Sequence, residues 1–257
     1  MKVAVSGKGG VGKTFIAGSL AYCFANKGLK TIAIDADPSP NLALTLGLSQ
    51  EEARKILPLS ENKDLIESKT GTGYAGVFRL SFSVNDIIRD YAVDTPLGVK
   101  LIVMGTVKSM GSGCTCPANA VVRALLRHLV VERNEAVVLD MEAGVEHMGR
   151  GTAQHVDAML IVADANLKAL ETAKRINELA SQTRIKQTLL VGNKVENDRQ
   201  KETIEKFAEE HNLKLVGIVP FDSTVAEAEM RGETPLKNKN STALHAIQNI
   251  CKSTWKL

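Results

Sequence analysis

The chain has 257 residues, of which 44% are apolar, 24% charged and only 4% aromatic, and its formal net charge is +3. That length and apolar share are enough for a sizeable globular core without staples. The mild charge includes no basic tract of the kind that grips nucleic acid, and no apolar run reaches the ~18 residues of a membrane span. The first residues enter a strand at once, which argues against a signal peptide. The expectation is a cytoplasmic protein that needs neither nucleic acid nor a membrane as partner.

Val3-Ala4-Val5 reads as a short buried strand and residues 15–26, apolar and Ala-rich, as a helix. Between them, Gly7-Lys8-Gly9-Gly10-Val11-Gly12-Lys13-Thr14 fits G-x-x-x-x-G-K-[ST], the phosphate-binding P-loop. The strand–loop–helix setting is what such a loop requires. Gly7, Gly9, Gly10, Val11 and Gly12 present backbone N–H groups to an anion, and the helix N-terminus adds the positive end of its dipole. Lys13 is expected to reach the β- and γ-phosphates of ATP, and the Thr14 hydroxyl to bind Mg²⁺.

Residues 30–34 form a second apolar strand ending at Asp35, and Asp35-Ala36-Asp37-Pro38-Ser39-Pro40-Asn41 follows. A stiff acidic loop at the carboxyl end of a strand lies where doubly wound sheets bind ligands; the competing expectation is a capped turn before a helix begun by Asn41. Residues 50–98 are expected to be an insertion between core elements. They have helical character at 51–55 and 83–91, a Gly/Thr/Lys-rich loop at 69–76 and a weak strand at 77–82. They hold too few apolar residues for a core of their own, and such insertions commonly carry partner contacts.

Residues 99–104 are the third core strand. A glycine-rich stretch then leads to Cys114-Thr115-Cys116-Pro117 and a helical pattern to about residue 131. Pro117 suits a first helical turn, so the two sulfurs precede a helix N-terminus, where the dipole favours thiolate, the metal-binding form. Cys23 and Cys251, in the first and last helices, are expected to pack as small apolar residues. Residues 135–139 form the fourth strand, closed by Asp140, the expected Mg²⁺-linked carboxylate. In the following Met141-Glu142-Ala143-Gly144-Val145-Glu146-His147, Gly144 is expected to offer its N–H to a γ-phosphate, and Glu142, Glu146 and His147 are left without an assigned role.

Strands at 158–162, 188–191 and 214–219 alternate with helices at 167–181, 199–211, 223–231 and 242–252. Gly192-Asn193-Lys194 and Pro220-Phe221-Asp222 follow the last two strands. This alternation specifies an α/β fold: a single P-loop NTPase domain over residues 1–257, with a mostly parallel sheet of about seven or eight strands and helices on both faces.

Lys8 gives the loop the form K-G-G-V-G-K-T, which resembles the deviant Walker A motif of the MinD/ParA/nitrogenase-iron-protein group of ATPases. The resemblance implies a nucleotide-sandwich homodimer in which Lys8 acts on the partner's phosphates. It also implies that Asp37 orients the attacking water, that Asp140 and Gly144 stand at the Walker B-like aspartate and switch II glycine, and that Asn193, Pro220 and Asp222 lie in adenine-recognition loops. Residues 113–117 together with 140–151 are similar to the CooC-type accessory ATPases, which assist nickel incorporation into carbon monoxide dehydrogenase; related sequences serve acetyl-CoA synthase. That likeness implies a Ni²⁺ or Zn²⁺ site at the dimer interface, built from Cys114 and Cys116 of both subunits, and dimerisation on nucleotide and metal binding. One C-x-C supplies only two ligands, so a tetrahedral thiolate site needs a second chain in any case. Two rival expectations are a MinD/ParA-like positioning ATPase and an iron–sulfur carrier resembling the nitrogenase iron protein, for which a four-cysteine cluster across a dimer is geometrically possible.

Overall fold

In the computed structural model, residues 1–65, 84–105, 134–143, 156–183 and 185–255 are described. The C-x-C pair, Gly144, Glu146, His147 and the helix expected up to about residue 131 lie outside them.

Eight strands form one sheet: β1 (Lys2–Gly7), β2 (Lys30–Ala36), β3 (Val93–Asp94), β4 (Val99–Val103), β5 (Glu135–Met141), β6 (Ala158–Ala163), β7 (Gln187–Val195) and β8 (Leu215–Pro220). Their spatial order is β3-β4-β2-β5-β1-β6-β7-β8. All pairings are parallel except that of β3 with β4. The central strands β1 and β6 are buried along their whole length, which is why they read as unbroken apolar runs rather than alternating ones.

The helices are α1 (Lys13–Asn26), α2 (Leu42–Thr45), α3 (Gln50–Lys55), α4 (Val84–Tyr91), α5 (Leu167–Ser181), α6 (Asp198–Glu210), α7 (Ser223–Met230) and α8 (Thr242–Trp255). The crossover β1–α1–β2 runs towards one edge of the sheet and β6–α5–β7 towards the other. Right-handed crossovers in opposite directions put α1 and α5 on opposite faces. Helix α1 packs on β5 and β2, α5 on β6, and α8 on β8 and α1. Phe15, Ile16, Leu20 and Phe24 of α1 are buried there. Burying four such side chains contributes about 1.5–3 kcal/mol each relative to exposure, so the helix that carries the P-loop is among the most firmly held elements.

Three differences from the sequence expectations have local causes. Asp140 lies inside β5 rather than closing it, because β5 pairs with β2 as far as Met141. Strand β7 continues through Gly192, Asn193 and Lys194 to Val195, with register irregularities between Leu190 and Val191 and between Gly192 and Val195. The described parts of residues 50–98 add the antiparallel edge strand β3 and send Leu59, Leu65, Ile87 and Leu97 into the main core.

Cys23 and Cys251 pack with the apolar core as expected, but not as two independent small side chains. They form a disulfide across 228 residues of chain, with their Cα atoms 6.8 Å apart. The adjacency of α1 and α8 brings them together, and no local sequence signal encodes that adjacency.

Candidate nucleotide site

Strand β1 delivers the loop to the carboxyl edge of the sheet, between β5 and β6. Backbone freedom is needed at both its ends. Gly7 has φ 147° and a Cβ there would overlap the Val162 carbonyl; Gly12 has φ 92° and a Cβ would overlap the Asn193 amide. Gly12 is the N-cap of α1 and carries no side chain to cap it, so the first N–H groups of the helix are left for a ligand, as anion-binding helix N-termini require.

Lys13 is buried, and its ammonium donates to the Lys8 carbonyl at 3.3 Å. Burial lowers its pKa, opposed by the carboxylates of Asp140 and Asp37. Asp140 is 1% exposed, and among the described residues no hydrogen bond of ordinary geometry reaches either of its oxygens, the nearest donor being the Thr14 hydroxyl. Burial pushes its pKa up to about 7, with help from the charges of Asp35 and Asp37, while the nearby Thr14 hydroxyl and Lys13 ammonium pull the other way. A buried carboxylate with unbonded oxygens is costly unless something pairs with it.

Asp35 sits directly beside Asp140 in register on the neighbouring strand. It too is fully buried, and burial raises its pKa to about 6. Its oxygens, however, accept the N–H groups of Leu42 at 2.9 Å and Asp37 at 3.2 Å. Asp35 therefore shapes the acidic loop and starts α2, whereas Asp140 keeps its oxygens available. Asp37 is brought into the electrostatic field of Lys13 and Asp140, and its Oδ1 accepts the Ser39 N–H at 2.9 Å.

The residues fit Mg²⁺ in the manner of phosphate sites. Thr14 and Asp140 offer a hydroxyl and a hard, unpartnered carboxylate, and Mg²⁺ at such sites takes one or two protein oxygens plus substrate phosphates. Among the described residues no group of three or more His, Cys, Asp or Glu is disposed to hold a metal by itself, so the phosphates would have to complete the shell. A cleft of about 270 Å³ opens beside Thr14, between Asn41 of the acidic loop and Glu229 of α7.

Two neighbours on β7 grip the loop from behind. The Asn193 amide donates to the Val11 carbonyl at 2.7 Å and the Lys194 ammonium to the Gly10 carbonyl at 2.9 Å. Lys194 does so from a left-handed backbone, φ 58°, a conformation that is uncommon outside glycine. With these carbonyls held towards β7, the loop is constrained on the side away from its anion-facing N–H groups. Lys194 was not singled out by sequence; the only available signal was its place after Gly192-Asn193 at the irregular end of a strand. Lys8 is partly exposed and makes no ion pair among the described residues.

Pro220 ends β8. The carboxylate of Asp222 is engaged within its own chain: it accepts from the Thr224 N–H at 3.0 Å, the Thr224 hydroxyl at 2.6 Å and the Ser241 hydroxyl at 2.7 Å. Partial burial would raise its pKa, but these donors outweigh that and hold it at about 2. Asp222 thus caps α7 and ties it to the start of α8. Cys114, Cys116 and Gly144 lie outside the described residues.

Residues 2–236 match the family described as the CobQ/CobB/MinD/ParA nucleotide binding domain. An uncharacterized ATP-binding protein of Methanocaldococcus jannaschii is 43% identical over 100% of this chain and 98% of its own length. The carbon monoxide dehydrogenase accessory protein CooC of Rhodospirillum rubrum is 42% identical, over 90% of this chain and 88% of its own. Among solved structures, the MinD cell division protein of Aquifex aeolicus superposes with a TM-score of 0.73, covering 100% of this chain and 97% of that one at 19% identity.

Proposed function

The chain belongs to the CobQ/CobB/MinD/ParA nucleotide-binding family of ATPases, and from that membership we propose that it is a CooC-type accessory ATPase serving carbon monoxide dehydrogenase or acetyl-CoA synthase. The observation that carries the chemistry is the buried carboxylate of Asp140 beside Lys13 and Thr14, its pKa raised to about 7 by burial. The client follows from the likeness to CooC along nine-tenths of the chain.

In this reading Lys13 exchanges the Lys8 carbonyl for the β/γ-phosphates of ATP. Thr14 and Asp140 hold Mg²⁺, which when bound neutralises charge on the phosphate oxygens. Asp37 orients the attacking water, and Gly144 senses the γ-phosphate. Lys8 enters the partner's site, so that hydrolysis depends on a homodimer. Asn193 and Pro220 border the base. Cys114 and Cys116 of two subunits together make a four-thiolate site for Ni²⁺ or Zn²⁺, the metal being cargo rather than a catalytic group. Loss of the γ-phosphate relaxes the acidic loop and the segment after β5, and the sulfur site opens with them.

The test is an anaerobic titration with Ni²⁺ or Zn²⁺, read by sedimentation velocity, without nucleotide and with ADP or ATP. The expected result is a dimer favoured by ATP and metal together, which raises the activity of nickel-free carbon monoxide dehydrogenase or acetyl-CoA synthase. A chain that stays monomeric in every state, with unchanged hydrolysis, would refute the proposal. ATP-dependent pelleting with liposomes or DNA would favour a positioning ATPase, and a reducible iron–sulfur cluster without nickel binding would favour an electron carrier.

A further inference from the structure

The far half of α1, the segment after α7 and helix α8 enclose a groove of about 620 Å³. Its lining begins at Ser19 of α1, about one and a half helical turns beyond the P-loop, and shares no residue with the loop, so it is separate from the nucleotide site. The buried side chains of Leu236 and Ile247 give it apolar walls. Lys27, Lys237, Lys239 and Lys252 also line it, and no Asp or Glu is among its lining residues. The ion pairs among the described residues include none made by Lys237, Lys239 or Lys252. The gathering is felt electrostatically, since burial and the charge of Lys252 both lower the pKa of Lys27.

Like charges brought together repel, and a groove whose described lining carries exposed Lys237, Lys239 and Lys252 and no carboxylate side chain attracts negative charge. Its volume lies within the ~300–1,000 Å³ of small-molecule sites. The Cys23–Cys251 disulfide joins the two helices that wall it, so the groove is pre-formed, which lowers the entropic cost of filling it. Pinned walls and modest size favour a compact ligand over a protein surface, because a stable protein interface needs roughly 800 Å² from each partner.

We propose that this groove binds a small organic anion with an apolar body, its acid group held by Lys237, Lys239 and Lys252 and its hydrocarbon or aryl part lying on Leu236 and Ile247. The probe is 8-anilinonaphthalene-1-sulfonate, an aryl sulfonate whose fluorescence rises in apolar surroundings. It is titrated onto the full chain in saturating Mg·ADP, so that the nucleotide site is filled. The expected result is saturable one-to-one binding that decanoate displaces. Binding should weaken roughly tenfold in the double variant Lys239→Glu/Lys252→Glu, whose changed side chains are solvent-facing, and the difference should shrink as salt is raised. The uncharged N-phenyl-1-naphthylamine should not distinguish the two proteins. Non-saturable binding, equal affinity in a double variant with an unchanged melting temperature, or displacement by an acidic peptide but not by decanoate would each overturn the proposal.

Discussion

Replacing Asp140 by Asn should make the nucleotide-free protein more stable while abolishing its response to Mg²⁺. The carboxyl has a folded-state pKa of about 7 against an ordinary value of 3.8. Between those values the folded chain keeps a proton that the unfolded chain has lost, so stability falls as pH rises through the window and levels off above it. At about 1.4 kcal/mol per pH unit, the full fall is on the order of 4 kcal/mol. Asn carries no such dependence, but its buried amide lacks partners and costs about 1–3 kcal/mol. Near pH 8 the variant should therefore be more stable by about 2 kcal/mol, and near pH 4, where the wild-type carboxyl is protonated and only the cost of the amide remains, it should be less stable by about 2 kcal/mol. Asp35 titrates in an overlapping window, up to about 6, and the two carboxyls are coupled, so the quantity to follow is the difference between the proteins. Urea denaturation from about pH 4 to 8 without nucleotide measures it. Repeating the series with Mg·ADP at about 100 times its dissociation constant should add ~2.7 kcal/mol to the wild type and much less to the variant. Parallel stability curves across the pH range, or an equal gain from Mg²⁺, would refute the assignment of Asp140 as an uncompensated metal carboxylate.

Other variants probe the rest of the site. Lys8→Ala should keep the fold and nucleotide binding but lose the dependence of turnover on protein concentration; unchanged concentration-dependent hydrolysis would contradict action across a dimer. Cys114→Ala combined with Cys116→Ala should abolish stoichiometric Ni²⁺ or Zn²⁺ binding, measured by equilibrium dialysis, with ATP affinity intact. Lys194→Met removes an exposed charged donor to the Gly10 carbonyl, an interaction of about 1 kcal/mol after solvent screening, so KM for ATP should rise roughly fivefold with little change in kcat. Lys194→Arg should restore most of that loss, and a KM unmoved by the Met substitution would show that the grip on the loop is dispensable.

What the sequence revealed, and what it hid, divides by range. The P-loop, its strand and its helix were legible because glycines, GKT and an apolar flank are all local signals, and helix 167–181 matched α5 to the residue. The hidden features depend on neighbours far along the chain. The Asp35–Asp140 adjacency arises from β2 pairing with β5, and the Cys23–Cys251 bond from α8 docking on α1. The Asn193 and Lys194 contacts to the loop depend on where β7 ends, and that end lies beyond the last apolar residue the pattern could show. Asp222 was placed by resemblance in an adenine-recognition loop; what the sequence did not show is that its carboxylate accepts from the hydroxyl and N–H donors of two helix starts.

The two carboxylates whose adjacency was hidden carry the most functional meaning. Asp35 and Asp140 share a register position, are almost wholly buried, and have raised pKa values for the same first cause, burial. They differ in their bonding. Asp35 accepts two N–H groups of its own loop, whereas Asp140 has only the nearby Thr14 hydroxyl and Lys13 ammonium, and no hydrogen bond of ordinary geometry among the described residues reaches its oxygens. A fold selected for stability alone would gain by replacing the second, since a neutral or apolar residue at that point on β5 removes an uncompensated charge. Sites where local consistency fails while the surroundings are well packed are where function is expected. Here the failure lies beside Lys13 and Thr14, at the mouth of a glycine-rich loop, and in the proposed function a divalent cation arriving with the nucleotide would supply further counter-charge. On that proposal, Mg²⁺ binding and the stability of the β2–β5 edge would be linked, so that whatever burial of Asp140 costs the fold would return as affinity for the cation.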